Sequence, residues 1–379
     1  MIVTFLKEKR KRIFLRVDFN VKFKGNKILD DFKIQASKKT IDYLLKNNHK
    51  VILATHLGNP RGREKNLSTQ KLIPFIEKIF KRKIFFGEDV IGPKVKEKIE
   101  KLKFGELLLL ENLRFYKEEK ENDKNFAKRL KELADFYVFE AFSVAHRKHA
   151  SVYALPKMME NFYGFRAKEE VEVLSSLLKK PKPPVILILG GAKIATKIPL
   201  IKFWQKKASA ILLGGALANV FLKAKGLNIG SSLVDENFLS FAQKNFSKVI
   251  LPIDFYALKN ERKIYLSLKD LLKTKESDFK ILDLGEETLD FYEKILKVGE
   301  TIIWNGPLGL IEDERFTFSS LKLAQIIKSL KKFTVIGGGE TLSLFPSKKD
   351  DHIFYSTGGG AMLEFLASKK LPALKVLGL

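Results

Sequence analysis

The sequence predicts an α/β protein built from two doubly wound parallel-sheet (Rossmann-like) domains joined by a helical hinge, and three observations carry that prediction. Short apolar runs alternate with helix-period stretches along the whole chain. Within each run the apolar character is continuous rather than alternating, as in strands covered by helices on both faces. The length of 379 residues also exceeds the roughly 250 to 300 at which a single hydrophobic core stops growing.

In the first half the strand-like runs are Ile13 to Val17, Val51 to Ala54, Leu107 to Leu110 and Phe136 to Phe139. In the second half they are Val185 to Leu189, Ala210 to Leu213, Val249 to Leu251, Thr301 to Trp304 and Thr334 to Ile336. Between the two sets a helix-period stretch runs from Ala167 to Leu178, preceded by Gly164 and closed by Pro181-Lys182-Pro183-Pro184. Proline ends helices and stiffens linkers, so the domain boundary is expected here.

The composition, 45% hydrophobic and 30% charged, is that of a well-cored globular protein, and no apolar run approaches the roughly 20 residues that span a bilayer. Met1 to Leu6 is followed at once by the basic stretch Lys7 to Arg12, which is not the order of a signal peptide. Without cysteine, disulfides and thiolate metal sites are excluded, and a cytoplasmic location fits. The net charge of +26 comes from lysines scattered along amphipathic stretches. It reads first as solvated helix faces, with a polyanion-binding surface as the alternative.

The residues at the strand ends differ between the halves. In the second half the strands run into Gly190-Gly191, Gly214-Gly215, Asn305-Gly306-Pro307 and Gly337-Gly338-Gly339, and Gly358-Gly359-Gly360 opens the last helix. Glycine at the carboxyl end of a parallel strand lets backbone N–H groups and a helix N-terminus approach a phosphate, so a nucleotide site is expected. In the first half the strand ends are Arg16-Val17-Asp18-Phe19-Asn20, His56-Leu57-Gly58, Glu111-Asn112-Leu113-Arg114 and His146-Arg147-Lys148-His149. These clusters should converge beyond the sheet and suit a small anion bearing phosphate or carboxylate.

Several nucleotide-enzyme classes are excluded. The P-loop pattern GxxxxGK[ST] is absent, since Gly-Lys occurs nowhere, and so are a GxGxxG fingerprint and the HRD and DFG signatures of protein kinases. His146 and His149 flank Arg147 and Lys148 with no cysteine or carboxylate cluster beside them, so zinc is not expected. His49 and His352 belong to no constellation.

Taken in order, the segments RVDFNV (16–21), THLGNP (55–60), LLENLRF (109–115), AFSVAHRKHAS (141–151), GGAKIATKI (190–198), GGALANVFLKAKGLNIG (214–230), WNGPLG (304–309), GGGET (337–341) and STGGGAMLEFL (356–366) resemble phosphoglycerate kinases along nearly the whole chain. The resemblance implies reversible phosphoryl transfer from 1,3-bisphosphoglycerate to MgADP, giving 3-phosphoglycerate and MgATP. It also implies a phosphoglycerate-binding domain over residues 1–166, joined by a C-terminal tail of about 371–379, and a nucleotide-binding domain over 167–370 that includes the interdomain helix. By motif, Asp18 and Asn20 would hold the hydroxyl and carboxyl end of glycerate, while Lys33, His56, Arg114 and Arg147 would bind its anionic groups. Lys33, Lys193, Gly337 and Gly360 are the implied catalytic positions. Gly191, Lys193, Lys197, Gly215, Asn305, Gly306, Pro307, Glu312, Gly338, Gly339, Glu340 and Thr341 would line the nucleotide, with Glu340 serving its Mg²⁺. Lys193 and Lys197 stand four apart, which on a helix would place them on one face. A monomer is expected, with neither a membrane nor nucleic acid as partner.

The chain departs from the family pattern at a few positions. Lys33 stands where the family has a catalytic arginine, Asn59 replaces the arginine of HLGRP, Glu340 replaces an aspartate, Phe139-Glu140 replaces Asn-Asp, and Ser143-Val144 replaces Gly-Thr. Lysine keeps the charge of arginine and loses its planar fork. Because the two ligands are polyanions held on different domains, closure about the linker is expected to complete the site.

Overall fold

The apolar runs of the first half pair into one six-stranded parallel sheet. Its strands are β1 (Arg12–Val17), β2 (Lys50–Ala54), β3 (Ile84–Phe86), β4 (Leu107–Leu109), β5 (Phe136–Glu140) and β6 (Asn161–Tyr163), in the order β3-β4-β2-β1-β5-β6. The register sets Arg16 of β1 beside Ala54 of β2 and Phe139 of β5. Ile13, Phe14, Leu15, Val51, Ile52 and Leu53 are fully buried, as both faces of a helix-covered sheet require. The strand order reverses between β1 and β5, and that is where an open α/β sheet offers a crevice at its carboxyl edge.

The second half repeats the plan. Strands β7 (Val185–Leu189), β8 (Ala210–Leu213) and β9 (Val249–Ile250) are followed by an antiparallel trio, β10 (Asp254–Lys259), β11 (Arg262–Ser267) and β12 (Phe279–Leu284). Then β13 (Thr301–Asn305), β14 (Phe333–Gly337) and β15 (Ile353–Ser356) complete a parallel sheet ordered β9-β8-β7-β13-β14-β15. Here the order reverses between β7 and β13, so the turns after those strands flank the crevice.

The strand-like runs of the sequence all appear, with ends shifted by a residue or so. The antiparallel trio is an addition: Asn260 and Glu261 take φ of 48° and 60° in the tight turn between β10 and β11, a left-handed pair that no glycine announces. The edge strands β3, β6 and β15 were also silent, being only three or four residues long.

The computed structural model describes residues 1–378, and they divide into two units. The first begins at Met1, runs to Ser175 and regains the chain from Lys370; the second is Ser176–Lys369. The division therefore falls inside the helix Phe165–Lys179, several residues beyond the 166/167 position suggested by the sequence. A buried carboxylate explains the difference. Glu140, at the end of β5, accepts hydrogen bonds from the backbone N–H of Arg166 (3.1 Å) and Ala167 (2.9 Å) and from the Thr40 hydroxyl. Thr40 accepts in turn from the N–H of Phe165 at 2.9 Å. The first turn of the helix is thus tied to the first unit, with Gly164 leaving room where a Cβ would strike the Glu140 carboxylate. Past the last parallel-sheet helix, Gly359–Leu366, a short helix Pro372–Val376 packs into the first unit, with the Ala373 N–H donating to the carbonyl of Ala145 at 3.1 Å. Leu379, the end of the expected tail, lies outside the described residues.

Burial pushes Glu140 from its ordinary 4.5 up to about 7, against the lowering effect of Thr40, Ala167 and Arg166. A carboxyl raised in the fold gives stability that is complete below its unfolded pKa and lost as pH rises through the folded one. The thermal midpoint is accordingly expected to fall between pH 5 and pH 8, and Glu140→Gln to flatten that slope; calorimetry at each pH checks it, and an equal slope in the variant contradicts it.

Candidate functional site

In the first unit the strand-end clusters meet around Asp18. Its carboxylate is 5% exposed. Oδ2 accepts from Lys33 Nζ at 2.6 Å and from the Ser143 hydroxyl, and Oδ1 accepts from the Asn20 N–H at 3.0 Å. Burial alone would raise its pKa, but Lys33, His56 and the hydrogen bonds from Lys33 and Ser143 outweigh burial and hold it well below the usual carboxylate range. Asn20 Oδ1 accepts from the N–H of Gly58 at 2.8 Å, and the carbonyl of Gly58 accepts from Arg114 Nη1 at 2.8 Å. One glycine therefore joins the ends of β1, β2 and β4.

Arg16 lies fully buried under this floor. Its Nε donates to Ser151 Oγ at 2.9 Å, Nη1 donates to the carbonyl of Val17, and Nη2 lies 3.4 Å from His56 Nδ1. Ser151 also donates to the fully buried Glu119, from N–H at 2.9 Å and from its hydroxyl at 2.6 Å. Since a guanidinium can only donate, His56 Nδ1 is the acceptor and the ring carries its proton on Nε2. Burial pushes His56 well below its usual range; Asp18 opposes this, while Arg16, Arg114 and Lys33 add to it. The ring is neutral at pH 7, with Nε2 as its donor nitrogen.

The crowding of cations is visible in Arg114, which burial and the neighbouring Arg16 and Arg147 lower to about 10, against Glu119 and Asp18. Its buried Nε has no hydrogen-bond partner among the described residues. Burial first, then surrounding arginines, pull His146 to about 4 and His149 to about 3. Arg147 is exposed at the rim. A half-buried group of cations and neutral imidazoles carrying an unused guanidinium donor is suited to an incoming anion. Beside it, Asn59, Arg61, Arg114, Lys117 and Lys120 line a cavity of about 490 Å³. Arg63, by contrast, is engaged with Asp89 and the Tyr116 hydroxyl, so of the two arginines after Asn59 only Arg61 faces this cavity.

In the second unit the glycine turns interlock. Gly190 N–H donates to the carbonyl of Asn305 (3.0 Å), Gly191 to Pro307 (2.7 Å) and Gly215 to Leu308 (2.8 Å). Gly306 N–H donates to Thr341 Oγ1 at 2.8 Å, and Asn305 Nδ2 to the carbonyl of Gly337 at 2.7 Å. Gly215 and Gly191 approach so closely, with Gly215 at φ +58°, that a Cβ on Gly215 would stand 2.6 Å from Gly191 N. Gly359 likewise backs onto Gly338. Gly339 and Gly360 begin their helices next to these turns, and both are exposed.

Among the described residues Lys197 is the one lysine buried beside these turns, 4% exposed, with Nζ 3.4 Å from the carbonyl of Lys193. Burial lowers its pKa to about 8, Glu340 opposes and Lys193 adds to the lowering. The shared helix face expected for Lys193 and Lys197 is corrected by the structure. Ile194–Thr196 is a single 3-10 turn and the helix starts only at Ile198, with Pro199 in its first turn, so both lysines precede it. They are brought near each other by the turn, and Lys193 is exposed. Glu312 is exposed in the turn after β13 and stands outside this hydrogen-bonded group.

The sequence placed Arg16 in the first strand-end cluster without giving it a role; the structure shows it fully buried, bonded to Ser151 and facing His56. His149 belongs to the fourth strand-end cluster and Ser151 to the segment 141–151, whereas Glu119 was not singled out, and nothing in its spacing ties it to Ser151 or His149.

Two doubly wound units, one bearing a buried cationic crevice and the other a glycine-lined crevice with a buried lysine, are the equipment of a small-molecule kinase of the α/β class. The family model described as phosphoglycerate kinase matches residues 3–369. Phosphoglycerate kinase of Dictyoglomus turgidum is 39% identical over 381 residues, covering 97% of this chain and 96% of that protein. The Finegoldia magna enzyme is 37% identical over 393 residues with the same coverage. Among solved structures, phosphoglycerate kinase from Pyrococcus horikoshii matches with a TM-score of 0.91 at 29% identity, and that from Coxiella burnetii with 0.81 at 32%, each covering 100% of this chain and 98% of the other. The chain belongs to the phosphoglycerate kinase family, whose reaction is reversible phosphoryl transfer between 1,3-bisphosphoglycerate and ADP in glycolysis.

The glycine geometry separates two substitutions. Gly215→Ala is expected to destabilise the chain by about 1 to 3 kcal/mol, through both φ and the clash with Gly191. Gly339→Ala, at a helical position with nothing within 4 Å of a new Cβ, is expected to be neutral or to stabilise by up to about 1 kcal/mol. Thermal unfolding of both variants checks the contrast.

Proposed function

We propose that the phosphoglycerate kinase reaction of this chain is divided between the two clusters. The Asp18 cluster binds 3-phosphoglycerate or its acyl phosphate, and the glycine turns with Lys197 bind the nucleotide. The observation that carries this reading is the contrast in charge: the buried Arg16 and the half-buried Lys33 and Arg114 gather around Asp18, whereas the second crevice is backbone N–H groups and one buried lysine.

In this reading Asp18 and Asn20 hold the hydroxyl and carboxyl end of glycerate. His56 donates through Nε2, and Arg114, Arg147 and Lys33 neutralise phosphate and carboxylate. Lys33 also reaches the transferring group, as Lys193 does from the second unit, with the N–H groups of Gly337 and Gly360 as further donors. Lys197, Gly191, Gly215, Gly338, Gly339 and Thr341 take the nucleotide phosphates, Asn305, Gly306 and Pro307 shape the turn beneath them, and Glu312 bonds the ribose. Transfer then needs no protein nucleophile, because charge neutralisation and in-line placement supply the rate.

Among the described residues no group of three or more His, Cys, Asp or Glu side chains could hold a metal ion. The donor set fits Mg²⁺ carried by nucleotide phosphates, with Glu340, close enough to Lys197 to influence it, adding one carboxylate. When bound, Mg²⁺ supplies charge neutralisation between the phosphates. No described helix is long and apolar enough to cross a membrane. A glycolytic reaction suits an enzyme of the cytoplasm, and a monomer suffices because each unit carries its own cluster.

A coupled assay with 3-phosphoglycerate and MgATP is expected to show turnover that Lys197→Ala abolishes; unchanged turnover contradicts the nucleotide assignment. Since the free ammonium of Lys197 loses its proton near pH 8, ADP affinity by calorimetry should fall from pH 7 to pH 9, and Lys197→Arg should flatten that fall. Lys33→Arg is expected to keep or raise the turnover number, and a loss of about a hundredfold or more would show a pocket rebuilt around lysine.

A further inference from the structure

The Asp18 carboxylate is loaded unevenly. Oδ2 takes two donors, the Lys33 ammonium at 2.6 Å and the Ser143 hydroxyl, and a carboxylate oxygen has about two lone pairs to offer. Among the described residues Oδ1 takes only the Asn20 N–H at 3.0 Å, since His56 Nδ1, at 4.0 Å, is beyond hydrogen-bonding distance and already faces Arg16. An incoming hydroxyl can therefore donate to Oδ1 and finds Oδ2 closed.

Lys33 alone could not enforce this. An ammonium turns about its stem and holds a carboxylate as a point charge, whereas an arginine fork fixes the carboxylate plane with two parallel bonds. Ser143 supplies the missing second donor from a rigid place. It lies in the 3-10 turn Phe142–Val144 directly after β5, where the Val144 N–H closes on the carbonyl of Ala141 at 3.0 Å. One residue before Ala141 is Glu140, itself fixed by Thr40 and the start of the helix Phe165–Lys179. The hydroxyl thus reaches Asp18 across 125 residues of sequence from a turn flanked by hydrogen-bonded backbone.

We propose that Ser143 is a positioning residue for phosphoryl transfer: by filling Asp18 Oδ2 beside Lys33, it directs the hydroxyl of the acid substrate to Oδ1. This rests on the reading that Asp18 receives that hydroxyl. Ser143 would then contribute to the preference for a 2-hydroxy acid over the same acid without the hydroxyl, and would do so without touching substrate.

The test uses the full chain and two acceptors, 3-phosphoglycerate and 3-(phosphonooxy)propanoate, which lacks the 2-hydroxyl. For Ser143→Ala the ratio of their kcat/KM values is expected to fall by about three- to tenfold, mainly through a higher KM for 3-phosphoglycerate. Ser143→Thr, which keeps the hydroxyl, should retain most of the ratio. Asp18→Asn is the control for the underlying reading and should abolish the preference. If Asp18→Asn abolishes it while Ser143→Ala leaves it unchanged or larger, the role of Ser143 is overturned. If Asp18→Asn itself leaves the preference intact, the assignment of Asp18 fails instead.

Discussion

A parallel sheet buried on both faces delivers the carboxyl ends of all its strands to one edge, and both candidate clusters of this chain are built around the residues standing at that edge. In the first unit β1, β2, β4 and β5 end in Asp18, His56, Arg114 and the Ser143–His149 segment. In the second, β7, β8, β13 and β14 end in glycines. In both, the reversal of strand order opens the edge, between β1 and β5 and between β7 and β13. The scaffold is the same, and the side chains alone distinguish a crevice lined by cations and imidazoles from one lined by glycines.

Keeping cations half-buried is costly, and the first unit offsets that cost with internal anions. Asp18 faces Lys33, and Glu119 reaches Arg16 through Ser151. Neighbouring contacts fix geometry: Arg16 sets the His56 tautomer, and Gly58 links Asn20 to Arg114. The Nε of Arg114 has no hydrogen-bond partner among the described residues, and Arg147 is exposed, so positive charge remains at the rim of this cluster. A site arranged in advance in this way spends little reorganisation energy when the anion arrives.

Much of this was legible in the sequence because strand ends are local. RVDFN and GGAKIATK state both the strand and the turn at its end, so the two sheets and their glycine turns could be read directly. Contacts between distant segments could not. The Glu140 tie to the helix Phe165–Lys179 spans 26 and 27 residues, and the Ser143 bond to Asp18 spans 125. Both occur where the chain departs from the family pattern. Spacing also misled at Lys193 and Lys197, where a four-residue interval suggested a helix; Pro199 suits the first turn of a helix, which accordingly begins at Ile198, after both lysines. The antiparallel trio was hidden because its tight turn uses Asn260 and Glu261 in left-handed conformations without a glycine.

The division of ligands between the units is tested most directly by hydrogen–deuterium exchange of the full chain with each ligand alone. With 3-phosphoglycerate, protection should concentrate in peptides containing Asp18–Asn20, His56–Gly58 and Ser143–His149. With MgADP it should concentrate in Gly190–Lys197, Gly214–Gly215 and Gly337–Thr341. Protection of the Asp18 peptides by MgADP alone, or of the glycine turns by 3-phosphoglycerate alone, would contradict that division.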